Sequence, residues 1–142
     1  MVVLIIAVLL AISIPTYLGA RTRAMDRGAQ STVRNAFVAA RISYAGSTSY
    51  TSDTSAMALI EPNLQWTSTD LSATSPSQAA YLAVSSGNQV IVLGARAANG
   101  HCFFIEDIMA GPSTGTRFYG DASSPAICAA PAVGDPAWSG SW

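Results

Sequence analysis

The opening of this chain forces an elongated shape. From Met1 to Ile12 every residue is apolar (MVVLIIAVLLAI). Ser13, Pro15 and Thr16 interrupt the run lightly, and Ile14, Tyr17, Leu18 and Ala20 continue it. Roughly 20 such residues span a bilayer as a helix. From Thr22 to about Tyr44 there is no proline and one glycine, Gly28. Over that stretch Val33, Phe37, Ala40 and Tyr44 fall at i, i+4, i+7 and i+11, a single helical face. One helix over both segments is about 65 Å long, at 1.5 Å per residue. A head built from the remaining residues is too small to cover it. The first half is therefore expected to bury itself in lipid or against other chains. Pro15 removes a backbone hydrogen bond and, with Gly19, marks an expected kink or locally unwound turn.

The charges divide unevenly. There is no lysine, and Arg21, Arg23, Arg27, Arg34 and Arg41 crowd into one short stretch. Arg27, Arg34 and Arg41 recur every seven residues, on a flank about a quarter-turn from the apolar stripe. That flank is expected either to face solvent or headgroups, or to pair with acids of neighbouring subunits such as Asp26. The net charge of -1 and the 11% of charged residues give no basic field for nucleic acid. A cleaved signal peptide would need a basic region before the run and a small-residue cleavage site after it. Pro15-Thr16-Tyr17-Leu18 offers no such site.

The stretch MVVLIIAVLLAISIPTYLGARTRAMDRGAQSTVRNAFVAA resembles the N-terminal helix of type IV pilins and pseudopilins. The shared pattern is an apolar run, Ile14-Pro15, then an arginine-bearing amphipathic continuation. Gly19-Ala20-Arg21, Arg23, Asp26-Arg27 and Ala29-Gln30-Ser31 resemble the variant found in high-GC Gram-positive bacteria. The likeness covers about the first 45 residues; the head is similar only in plan. The family's mature chain starts with an N-methylated phenylalanine followed by a glutamate inside the apolar run. This stretch has neither, and a processed start upstream of Met1 is the corresponding expectation.

The expected fold class is α+β. Residues 1–20 form a hydrophobic helix serving as membrane anchor or filament core, 21–45 its amphipathic continuation, and 46–142 a β-rich head. GSTSYTSDTS, from Gly46 to Ser55, reads as a polar loop. Asp53 or Thr54 is placed to cap a short helix over Ser55 to Ile60, ended by Pro62. Strands are expected from Trp66, over Ala80 to Val84, over Gln89 to Gly94 and over His101 to Ile108. Asn99-Gly100 predicts a two-residue hairpin turn. Short turns imply an antiparallel meander, with one face on the stripe of Val33, Phe37, Ala40 and Tyr44. The tail from Gly111 to Trp142 reads as irregular, with Thr116 to Tyr119 open between strand and loop. Two cysteines beside an apolar leader-like segment point to an oxidising compartment and a Cys102–Cys128 crosslink, with two buried thiols as the alternative. A disulfide tying the C-terminal loop to the sheet also resembles a pilin feature.

Catalytic chemistry finds little support. Gly111-Pro112-Ser113-Thr114-Gly115 matches the G-x-S-x-G pattern, but that motif needs a preceding strand, a following helix and a downstream histidine. The lone histidine, His101, lies upstream. His101-Cys102 is too small a set for zinc, which takes three or four protein ligands. Glu106 and Asp107 are adjacent, so on a strand they face opposite sides. No enzyme activity, metal or cofactor is expected.

The resemblance implies a structural subunit of a helical extracellular filament at a bacterial cell surface, serving adhesion, motility or DNA uptake. Before assembly it would sit in the cytoplasmic membrane and meet the pilus assembly machinery, with its motor ATPase. The core of such a filament would be Val3, Leu4, Ile5, Ile6, Val8, Leu9, Leu10, Ile12 and Ile14. Alternatives are a pseudopilin of a secretion or competence system and a membrane-tethered binding module.

Overall fold

A computed structural model describes residues 2–85 and 87–142, with the side chains at 4, 5, 7, 8 and 10–16 outside the described residues. The long helix, α1, runs from Val2–Ser47, 46 residues, or about 69 Å. It ends three residues later than the sequence pattern placed it. Thr48 turns to φ 55°, and its amide bonds the Tyr44 carbonyl at 2.7 Å. The helix continues through Pro15 and Gly19, so the expected unwound turn is not formed. Among the described residues no helix is long and apolar enough to cross a membrane. From Tyr17 onward, Arg21, Arg23 and Arg27 make α1 too polar for lipid. Of the expected filament core, Val3, Ile6 and Leu9 are more than half exposed, and the side chains of Leu4, Ile5, Val8, Leu10, Ile12 and Ile14 lie outside the described residues.

The head begins with α2 (Thr54–Ile60). Asp53 caps it as expected, its carboxylate accepting from the Ser55 and Ala56 amides. Among the described residues seven strands follow: β1 (Gln65–Thr67), β2 (Leu71–Ser72), β3 (Ala79–Val84), β4 (Val90–Arg96), β5 (Cys102–Ile108), β6 (Gly115–Asp121) and β7 (Ile127–Cys128). The main sheet has the order β1-β3-β4-β5-β6, while β2 and β7 pair separately. β3 through β6 form the expected antiparallel meander. β1 departs from it and lies parallel to β3, with Trp66 opposite Ala80. The chain leaves the main sheet after β1 to form β2 and returns in the same direction.

Strict alternation sorts the side chains onto two faces. Ala80, Leu82, Ile91, Leu93, Ala95, Phe103 and Ile105 pack with the α1 residues in one core. Ala79, Val92, Cys102 and Phe104 form a second core with Leu71, Cys128 and Trp138. The head is thus three layers deep: helix, sheet, and an outer cover of β2, β7 and the tail. β5, the middle layer's most enclosed strand, is buried at every position, so its run of Phe, Ile and Cys lacks polar alternation.

Two glycines carry specific geometry. Gly94 sits opposite Phe104, whose ring lies where a Cβ would stand, at 2.4 Å. The ring can therefore lie flat across β4. In the β4–β5 turn the Gly100 amide bonds the Ala97 carbonyl at 2.9 Å and Gly100 adopts φ 95°. Ala97 also bonds His101 at 2.8 Å. The loop is therefore three residues, Ala98 to Gly100, closed by a left-handed glycine rather than the expected two-residue turn.

The tail corrects the sequence reading most. β6 pairs with β5 along its whole length, from Cys102↔Asp121 to Ile108↔Gly115. Its small and polar residues, GTRFYGD, hide a strand because its apolar pair Phe118 and Tyr119 points to opposite faces. Beyond it, Ser139 bridges Phe118 at the sheet's free edge.

Candidate assembly surface

α1 meets the head along a narrower line than its length offers. Ala29, Val33, Ala36 and Ala40 are buried in register, with Ala39 beside them, while Phe37 and Tyr44 pack on the flank. The predicted stripe of Val33, Phe37, Ala40 and Tyr44 is thus the packing face, but its centre line is made by alanines. Small residues bring the helix close to the sheet, and their weak apolar signal is why the sequence pattern favoured Phe37 and Tyr44. Before Met25 no described α1 side chain is covered by the head: Val3, Ile6, Leu9, Tyr17 and Leu18 are each more than half exposed.

The seam between α1 and the sheet is pinned by a buried carboxylate. Asp107 is fully buried on the helix side of β5. Arg41 Nη2 donates to its Oδ1 at 2.7 Å, and Arg41 Nε approaches Oδ2 at 2.7 Å as an ion contact. Thr116 Oγ1 donates to Oδ1 at 2.8 Å, and the Tyr50 hydroxyl donates to Oδ2. Burial, then the hydrogen bond to Asp107, pushes the Tyr50 phenol well up, so it remains the donor. A second pin holds the helix where it enters the head. Asp26 Oδ1 lies 2.9 Å from His101 Nδ1 and accepts from Asn99 Nδ2 at 2.8 Å.

These pins decide much of the arginine flank. Arg41 is bound to Asp107, and the Arg34 guanidinium stacks 5.1 Å over the Trp142 ring. Asp26, expected to meet a neighbour's arginine, is held by His101 and Asn99 of its own chain. No described ion pair engages Arg21, Arg23 or Arg27. Five arginines against Asp26 leave residues 1–45 at a net +4, and two arginines against seven acids leave 46–142 at -5. From Ile42 to Ala95 there is no basic residue at all, while Asp53, Glu61 and Asp70 fall there.

Glu106 faces the opposite way from Asp107, as strand geometry requires. Its Oε1 accepts from the Gly134 amide at 3.2 Å, Arg117 Nη1 lies 3.8 Å from Oε2, and Oε2 has no hydrogen-bond partner among the described groups. Burial raises the carboxyl pKa, opposed by the Gly134 amide and Arg117. A folded pKa above the unfolded one gives stability that is full below the unfolded pKa and lost as pH rises through the folded one. Glu106→Gln is therefore expected to stabilise the head at pH 7, because it removes a charge that burial disfavours more than the Gly134 amide and Arg117 favour it. Wild type should close that gap when urea unfolding is repeated below the unfolded glutamate pKa, at about pH 3.

Cys102 and Cys128 are bonded, Cα to Cα 5.7 Å, which settles the choice left open by the sequence. Cys102 is therefore no partner for His101 in a metal pair. Gly111 to Thr114 lie in the β5–β6 loop and Gly115 opens β6, with Gly111 and Gly115 at φ 101° and 141°. Among the described residues no group of three or more His, Cys, Asp or Glu is placed to hold a metal. Sequence reasoning missed Tyr50, Met57 and Trp138, all buried. Tyr50 and Trp138 sit in polar, glycine- or serine-rich surroundings that carry no periodic signal.

Compared with protein-family models, curated proteins and solved structures, the chain matches none.

Proposed function

We propose that this chain is a structural subunit of a helical filament on the cell surface, built in the manner its N-terminal stretch resembles, that of a type IV pilin. The observation that carries the reading is α1 itself. One continuous helix packs on the head only from about Met25 to Tyr44 and projects the rest as an arm. An arm with Val3, Ile6 and Leu9 exposed is not a stable surface in water. Burying one such side chain contributes about 1.5–3 kcal/mol, and a bundle of arms supplies the cover. Contacts between an arm and a different surface of the next copy do not close on themselves, so they grow a fibre. The disulfide in the outer cover suits an extracytoplasmic location. Adhesion, motility or DNA uptake would then follow from what the heads display.

The test is electron microscopy of material sheared from cells bearing this chain, with mass spectrometry of the fibre subunit. Long thin filaments made of this chain are expected. Ile6→Asp should leave the head folded and its disulfide intact while filaments vanish. Normal fibres from that variant would overturn the role of the arm.

A further inference from the structure

The arm explains why copies associate but not where each arm lands, and one surface of the head fits it. Between α1 and α2 lies a cleft of about 120 Å³ lined by Asn35, Val38, Ala39, Ile42, Ile60 and Glu61. Val38 and Ile42 on α1 are more than half exposed, and Leu59 on α2 is 88% exposed. The rim is acidic. Glu61 takes part in no described ion pair, and its Oε1 accepts only from Asn63 at 3.0 Å. On the arm, Tyr17 is 67% and Leu18 54% exposed, and Arg21 stands one turn further along. Tyr17 and Arg21 share a face at i and i+4, and Leu18 adjoins it at i+3 from Arg21.

We propose that the α1–α2 cleft of one copy receives the Tyr17–Arg21 segment of α1 from a second copy, with Arg21 of the arm set against Glu61 of the rim. The inference rests on the filament reading above and names the partner surface within it. Tyr17, on the same face as Arg21, enters the cleft, and Leu18 lies against its edge, as a helix in a groove. The charge division between the positive helical half and the negative head orients the encounter. One chain cannot satisfy itself, because Tyr17 and Val38 are about 31 Å apart along one continuous helix. Parallel copies joined this way are therefore staggered by about that distance. Cleft and arm are different surfaces, so the contact repeats without closing.

The test uses the full chain in the cells that bear it. Leu18→Cys with Ile42→Cys, mildly oxidised in sheared filaments, is expected to give a ladder of crosslinked multimers. Leu18→Cys with Ser113→Cys, on the β5–β6 loop, should give none. Glu61→Arg and Arg21→Glu should each lower filament yield about three- to tenfold, and the double variant should recover most of it, as for a single exposed pair whose sign is reversed and restored. Filaments without the ladder, unaffected by either charge change, would overturn the docking and leave the filament reading standing. Crosslinked dimers from Ile42→Cys alone would show a symmetric contact and overturn it too. Absence of filaments from the unaltered chain would remove both.

Discussion

Asp107→Ala is expected to destabilise the head by about 3–5 kcal/mol, the cost typical of breaking a buried charged network. Against a total of about 5–15 kcal/mol for a domain, that is enough to unfold a large fraction of the protein at 37 °C. The cost does not fall evenly on the partners. Arg41 is 41% exposed and can return to water. Thr116 sits near the surface and can do the same. Tyr50 is 1% exposed, so its hydroxyl would be left buried without an acceptor, at about 1–3 kcal/mol. The Tyr44 ring lies 4.8 Å from the Tyr50 ring, so disturbance at Tyr50 reaches the end of α1. A double-mutant cycle separates these parts. In a Tyr50→Phe background, Asp107→Ala should cost less by about 1–3 kcal/mol, because no hydroxyl remains to be stranded. Denaturant melts of the four proteins give the coupling directly. Equal cost in both backgrounds would mean that the Arg41 pairing, not the tyrosine, holds the seam.

The sequence announced what depends on local pattern and concealed what depends on partners. The apolar run, the proline-free continuation and the Asp53 cap are periodic or stereochemical signals, and α1 and α2 follow them. The β3–β5 meander was legible because Ala80 to Val84 and His101 to Ile108 are short apolar runs between turn residues. β6 was only half legible, Thr116 to Tyr119 being open between strand and loop, since GTRFYGD draws its stability from a seven-residue ladder with β5 rather than from its own propensity. β1 was placed in a meander because strand direction is set by the path of the intervening chain, which composition does not reveal. The carboxylates were understood only by geometry. Strand alternation put Glu106 and Asp107 on opposite faces, but nothing local shows that Arg41, 66 residues earlier, reaches Asp107 while Glu106 faces Gly134. On the assembly surface, Val38 and Ile42 were overlooked because they lie off the buried stripe. They become notable once α2 is seen to flank them.

Removing the disulfide with Cys102→Ser and Cys128→Ser should cost about 3–4 kcal/mol, the chain-entropy value for a loop of 26 residues. The loss should be uneven through the three layers. The inner core between α1 and the sheet contains neither cysteine. The outer core contains both, with Leu71 and Trp138 packed around them. β7 is two residues long and pairs only with the two residues of β2, so without the crosslink little fixes that cover to β5. Hydrogen exchange should show amides of residues 127–138 losing protection while Leu93 and Ile105 keep theirs. A uniform loss of protection would mean that the two cores unfold as one unit. The uneven outcome has a consequence for Glu106. Its burial depends on the Gly134 segment lying over it, so a loosened cover admits water and removes the cause of its raised pKa. The stabilisation expected from Glu106→Gln at pH 7 should therefore shrink toward zero in the cysteine-free protein. The same urea melts, run on wild type, Glu106→Gln, the cysteine-free protein and the combined variant, would measure that shrinkage as a coupling energy between the carboxylate and the crosslink.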